Sequence, residues 1–137
     1  MEELLEYKEI FMREVKEFGS YDVLAYIVNE INDNYMNKIS LKYLGKKYFI
    51  NSAYLGQLFL KKYNKNFKDY LNEVRIEKAV ELLYNTDRKI YEISELVGYS
   101  NTDYFIKKFK EVKGRTPLMY KVETLKNQKM KKVYIYR

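Results

Sequence analysis

One apolar pattern occurs twice in this 137-residue chain, about fifty residues apart. The first copy runs Leu41, Leu44, Gly45, then Asn51, Tyr54, Leu55, Phe59 and Lys61. The second runs Ile90, Ile93, Ser94, then Asn101, Tyr104, Phe105 and Phe109. In each copy apolar residues recur at three- and four-residue steps around a short interruption, and an Asn opens the later run. That spacing predicts a short amphipathic helix, a tight turn and a second helix capped by Asn. Leu41/Ile90 and Leu44/Ile93 are offset by 49, but Asn51/Asn101 and Phe59/Phe109 by 50, so the second turn is one residue longer.

Two readings fit such a repeat. Two helix pairs can share a pattern for packing reasons alone. Or each is a helix-turn-helix, whose second helix lies in a DNA major groove. The surroundings are helical throughout. Leu4, Tyr7, Phe11, Val15 and Phe18 form an amphipathic stripe, and Gly19-Ser20 reads as a stop followed by a fresh N-cap. A helix over about 21–36 places Val23, Leu24, Ile27, Val28, Ile31 and Tyr35 on one face. A long helix over about 67–84, with Tyr70, Leu71, Val74, Ala79, Leu82 and Leu83 inward, joins the two copies. Gly98 stands where the second turn needs a positive φ. Thr116-Pro117 reads as N-cap and first position of a last helix. From about Leu125 the chain is basic without clear periodicity, and 133–136 reads equally as a short strand or an irregular end. The expected class is all-α.

Composition narrows function mainly by exclusion. The chain has no His and no Cys, which removes the commonest general base, the commonest metal ligands and any disulfide. No Gly-rich phosphate loop, metal cluster or Ser-centred triad is visible, so no enzyme, cofactor or metal site is expected. No apolar run is long enough for a membrane span, and the acidic start lacks the basic region of a secretory signal, so a cytoplasmic setting is expected. The net charge of +7 is unevenly spread: −3 over residues 1–19, +5 over 20–120 and +5 over 121–137. A Lys excess attracts phosphate and gains from counterion release, although a solvated surface accounts for charge equally well.

On the second helix of each copy the side opposite the apolar face would meet the groove. In the first these residues are Ser52, Ala53, Gly56, Gln57 and Leu60, with Lys61 and Lys62 at the end. Gln57 can pair with an adenine edge and Ala53 can touch a thymine methyl. Gly56 admits either close backbone approach to DNA or drift at a surface position. In the second copy they are Asn101, Thr102, Asp103, Ile106, Lys107 and Lys108. Asp103 can accept from a cytosine amino group, or simply suit the positive end of its helix. Lys107 is the strongest base or phosphate candidate, and Lys108 a phosphate candidate. Lys42, Lys46, Lys47 and Lys89, on the first helices, and the N-termini at Ser40, Asn51 and Asn101 are further phosphate candidates, with solvated surface as the alternative for each lysine.

At these residues the chain resembles the DNA-binding domain of the AraC/XylS family of bacterial transcription regulators. Tyr63-Asn64-Lys65-Asn66-Phe67, Tyr70-Leu71, Arg75-Ile76, Ala79 and Leu82-Leu83 are similar to that family's linker helix. Ile90, Ile93, Val97-Gly98-Tyr99-Ser100, Tyr104-Phe105, Phe109-Lys110, Gly114, Thr116-Pro117 and Tyr120 are similar to its second-half signature. The resemblance covers about residues 20–121 and implies seven helices, with two helix-turn-helix units bridged by the long fourth. It implies double-stranded promoter or operator DNA as partner, read on successive groove faces about 34 Å apart. It also implies recruitment of RNA polymerase as an activator. Departures are Gly45 and Ser94, where the family usually has Ala, and Ser52 and Thr102, where Pro is frequent.

Three regions are therefore expected: 1–19 as a connecting helix able to form a homodimer, 20–121 as the double helix-turn-helix, and 122–137 as a basic tail. The stripe in 1–19 could instead pack on the domain. The chain reads either as a fragment of a longer regulator with a sensor or receiver domain, or as a compact member. A helical protein-interaction module without sequence-specific DNA binding is the alternative function.

Overall fold

The computed structural model describes residues 20–135, so the stripe between Leu4 and Phe18 lies outside the described residues. Seven helices and no strand occur among the described residues. They are α1 (Ser20–Asn34), α2 (Leu41–Tyr48), α3 (Ser52–Tyr63), α4 (Phe67–Asn85), α5 (Ile90–Leu96), α6 (Thr102–Lys113) and α7 (Pro117–Ile135). The chain divides into two compact units, Met1–Leu71 and Asn72–Arg137, with the boundary inside α4.

In the first unit α2 and α1 both pack on α3. The period-3.6 stripes close into one core: Val23, Leu24, Ile27 and Ile31 of α1, Leu44 of α2, and Leu55, Leu58 and Phe59 of α3, with Phe67 and Leu71 from the start of α4. Phe59 is its aromatic centre, 5.0 Å from the Tyr70 ring and 5.8 Å from Phe67 in edge-on geometry. In the second unit α5 packs on α6 and α6 on α7. Its core gathers Ile76, Ala79, Leu83, Ile93, Val97, Phe105, Phe109 and Pro117.

The turns show why the repeat slips by one residue. In the first, Phe49 takes a left-handed φ of 58° and two residues later Asn51 opens α3. In the second, Gly98 takes φ 106° and three residues later Asn101 opens α6. The left-handed turn residue is thus Gly in one copy and the costlier Phe in the other.

Several expectations shift. Residues 122–135 continue α7, and 133–135 are helical rather than a strand or an irregular end. Lys126 and Lys129 are exposed, and a helix needs no apolar stripe where its outer side faces water. Tyr54 was expected inside and is 49% exposed. Tyr104 is only half-buried. In both the phenol sits at the flank of the apolar stripe, where an amphipathic ring keeps its hydroxyl wet. Ile76 of α4, absent from the expected inner face, is fully buried.

Candidate nucleic-acid interface

Each candidate helix is started by an Asn side chain. Asn51 Oδ1 accepts from the Ala53 N–H at 2.9 Å and the Tyr54 N–H at 3.1 Å. Asn101 Oδ1 accepts from the Tyr104 N–H at 3.0 Å. Ser40 caps α2 in the same way, its Oγ accepting from the Tyr43 N–H at 3.0 Å. These bonds satisfy amide groups that would otherwise be orphaned. They also take donors that an incoming phosphate would use, so the N-termini at Ser40, Asn51 and Asn101 offer fewer free N–H groups than their sequence promised.

On α3 the burial of Leu55, Leu58 and Phe59 turns Ser52, Ala53, Gln57, Leu60 and Lys61 to the solvent. Gly56 is half-covered, and a Cβ there would stand 3.2 Å from Leu41 Cδ1. Packing of α2 against α3 therefore gives Gly56 a reason inside the protein. On α6 the burial of Phe105 and Phe109 leaves Asn101, Asp103 and Lys107 exposed and Thr102 and Lys108 half-exposed. Lys108 Nζ pairs with Glu111 Oε2 at 3.1 Å and lies 5.5 Å from the Tyr104 ring. Each unit thus brings its own candidates onto one outer helix face.

A family profile described as a helix-turn-helix domain matches residues 44–122, more than half of the chain. The chain belongs to the AraC/XylS family of transcription regulators. It is similar to the Msm operon regulatory protein of Streptococcus mutans, at 32% identity over 97 residues that cover 71% of this chain and 35% of that protein. It is similar to the C-terminal domain of the two-component response regulator yesN from Fusobacterium nucleatum, at 39% identity and a TM-score of 0.69, covering 73% of this chain and 98% of that one. The DNA-binding domain of AdpA, solved with a target DNA, shares the fold at a TM-score of 0.64 and 16% identity, over 75% of this chain and 89% of that one. The chain spans about a third of the length of the curated relatives it matches.

Within this AraC/XylS domain the remaining lysines separate by environment. Lys42, Lys46 and Lys89 are exposed, while Lys62 lies 5.6 Å from the Tyr63 ring. Lys47 is committed elsewhere: its Nζ donates to both Glu30 oxygens at 2.7 Å and lies 5.8 Å from the Tyr48 ring. It is a structural cation, not a spare one. Glu30 was not among the candidates read from the sequence. It also accepts from Tyr48 Oη at 3.0 Å and Tyr43 Oη at 3.5 Å. Lys47 beside it holds its carboxyl below the usual glutamate range, against the opposing effect of burial. Glu30 in turn raises the Lys47 ammonium. Burial, then Glu30, pushes the Tyr48 phenol up. The Glu30–Lys47 separation of seventeen residues carries no sequence signal.

The second unit is tied differently. Tyr99, in the turn before α6, donates its hydroxyl to Asn72 Oδ1 at 2.7 Å in a buried setting. The Arg75 guanidinium lies 5.4 Å from the Tyr99 ring, and burial lowers its pKa. Lys113 at the end of α6 pairs with Glu77 of α4. No cluster of three or more metal-ligating side chains occurs among the described residues, and no described helix is long and apolar enough to cross a membrane.

Proposed function

We propose that the chain is the DNA-reading part of a bacterial transcription regulator, with α3 and α6 seated in two adjacent major-groove segments of one duplex. One observation carries this reading. Both units present an Asn-capped helix whose apolar side is in the core and whose outer side is exposed and polar or cationic. Gln57, Ala53, Thr102, Asp103 and Lys107 are the base-edge candidates, with Ser52, Gly56 and Asn101 beside them. Lys46, Lys61, Lys62, Lys89 and Lys108 are the phosphate candidates, and phosphate contact sets register without reading sequence.

Family likeness extends the proposal to promoter DNA, activation through RNA polymerase, a cytoplasmic setting and a homodimer formed through residues 1–19. Transcription regulators of this kind are not enzymes, and no catalytic role is assigned. The test is selection of bound sites from random duplexes, followed by footprinting on the recovered sequence. A bipartite site with two protected groove segments about one helical turn apart is the expected result. Absence of any sequence-preferring complex would retire this reading and leave the protein-interaction module.

A further inference from the structure

We infer that Glu30 is a positioning residue for groove reading by α3, and that the second unit has no counterpart to it. The inference rests on the two-helix reading above. The Glu30 side chain, on α1, is 9% exposed. It accepts from Lys47, Tyr48 and Tyr43, all on α2, and from Asn34 Nδ2 of its own helix at 3.3 Å. Those three donors fix α2 by one side. The other side of α2 is fitted to α3. A Cβ on Gly45 would stand 2.6 Å from the Ile50 carbonyl oxygen, Leu41 reaches toward Gly56, and Ile50 N–H donates to the Gly45 carbonyl at 2.9 Å. Turning α2 about its axis breaks the Glu30 contacts and drives it against the backbone that opens α3. Glu30 therefore sets the angle of α2, and α2 sets the angle of α3.

The repeat shows that this tie is peculiar to the first unit. Ile27 and Ile76, both fully buried, lie 49 residues apart and hold the register. The same offset places Ala79, Leu96 and Val97 where Glu30, Lys47 and Tyr48 stand, and Glu92 where Tyr43 stands. Ala79, Leu96 and Val97 cannot carry charge, Ala79 and Val97 are fully buried, and Glu92 therefore meets no partner at the place of Glu30. Conversely, Tyr99 and Asn72, hydrogen-bonded in the second unit, replace Ile50 and Val23 of the first. Each unit is fastened by polar groups where the other is apolar. The Glu30 fastening is an ion pair and the Asn72–Tyr99 one is neutral; the ion pair of the second unit, Lys113 with Glu77, stands at other places of the repeat.

The test uses the duplex that the unmodified chain selects from a random library. If the chain selects no site, the DNA-reading proposal itself fails and this one is removed with it. If it selects a bipartite site, reselection with Glu30→Gln should lose base preference in one half while keeping the other, with affinity about tenfold weaker. Lys47→Gln, at a partly exposed side chain, should lose the same half and guards against a Glu30 variant that misfolds. The exchange Glu30→Lys with Lys47→Glu should restore that half. Unchanged preference in Glu30→Gln, equal loss in both halves, or failure of the charge exchange to restore the site would each overturn the inference.

Discussion

Gly45 and Ser94 occupy equivalent places in the two units, 49 residues apart. Their surroundings give Ala opposite consequences. Ser94 is fully buried and its Oγ has no hydrogen-bond partner. A buried hydroxyl without a protein partner costs more than the methyl that replaces it, so Ser94→Ala should stabilise the second unit by about 1 kcal/mol. At Gly45 the added Cβ would meet a backbone oxygen at 2.6 Å, which no rotamer change relieves. Gly45→Ala should therefore destabilise by about 1–3 kcal/mol despite its gain in helix propensity. Thermal unfolding of the two variants should move the midpoint in opposite directions. Two shifts of the same sign would refute the packing argument. At Gln57, exposed on α3, truncation to Ala should cost about 1–3 kcal/mol and relax preference at a single base pair. A selected-site profile identical to the parent's would remove Gln57 from direct readout.

Among elements, the helices with strong amphipathic stripes and Asn or Ser caps were legible because cap and stripe are local signals. The starts of α2, α3, α6 and α7 fall where Ser40, Asn51, Asn101 and Pro117 put them. What eluded the sequence was non-local. Nothing adjacent to Glu30 announces Lys47, and nothing about Lys47 distinguishes it from Lys46 except the face that α2 turns toward α1. Tyr54 and Tyr104 misled for another reason: the tyrosine ring belongs in a core and its hydroxyl in water, so position in the repeat does not decide burial. The Glu30 tie also carries a pH dependence. Its folded-state pKa lies below the unfolded value, so its contribution is complete above the ordinary glutamate range of about 4.3 and is lost as pH falls through the folded value. A carbon-detected NMR titration should place the Glu30 midpoint below that range. A midpoint at or above it would contradict the ion pair. On α6, Lys107 is exposed in the middle of the candidate face. If it meets phosphate, Lys107→Ala should weaken binding and lower the slope of log affinity against log salt by about one. Equal slopes for variant and parent would retire that contact.

For the whole molecule, the repeated pattern and the family signature made the all-α class and the double helix-turn-helix legible, and the family profile across residues 44–122 agrees. The continuation of α7 to Ile135 was not legible, since a basic run without an apolar stripe carries no periodic mark. Net charge was a coarser guide than it looked. Lys47, Lys108, Lys113 and Arg115 each pair with a carboxylate inside the molecule, so the +7 total says little about how many cations face DNA. A final consequence follows from the unit boundary at Leu71–Asn72 lying within α4 instead of in a loop. Proteases need a locally unwound stretch of several residues, which the middle of a helix rarely supplies. Brief trypsin digestion should therefore spare Lys68, Arg75 and Lys78, and mass mapping of the first fragments should find no scission between 67 and 85. Early cleavage there would mean that the halves come apart. Gene truncation at residue 71 faces the same obstacle, because it would leave each half with a frayed stump of a shared rod.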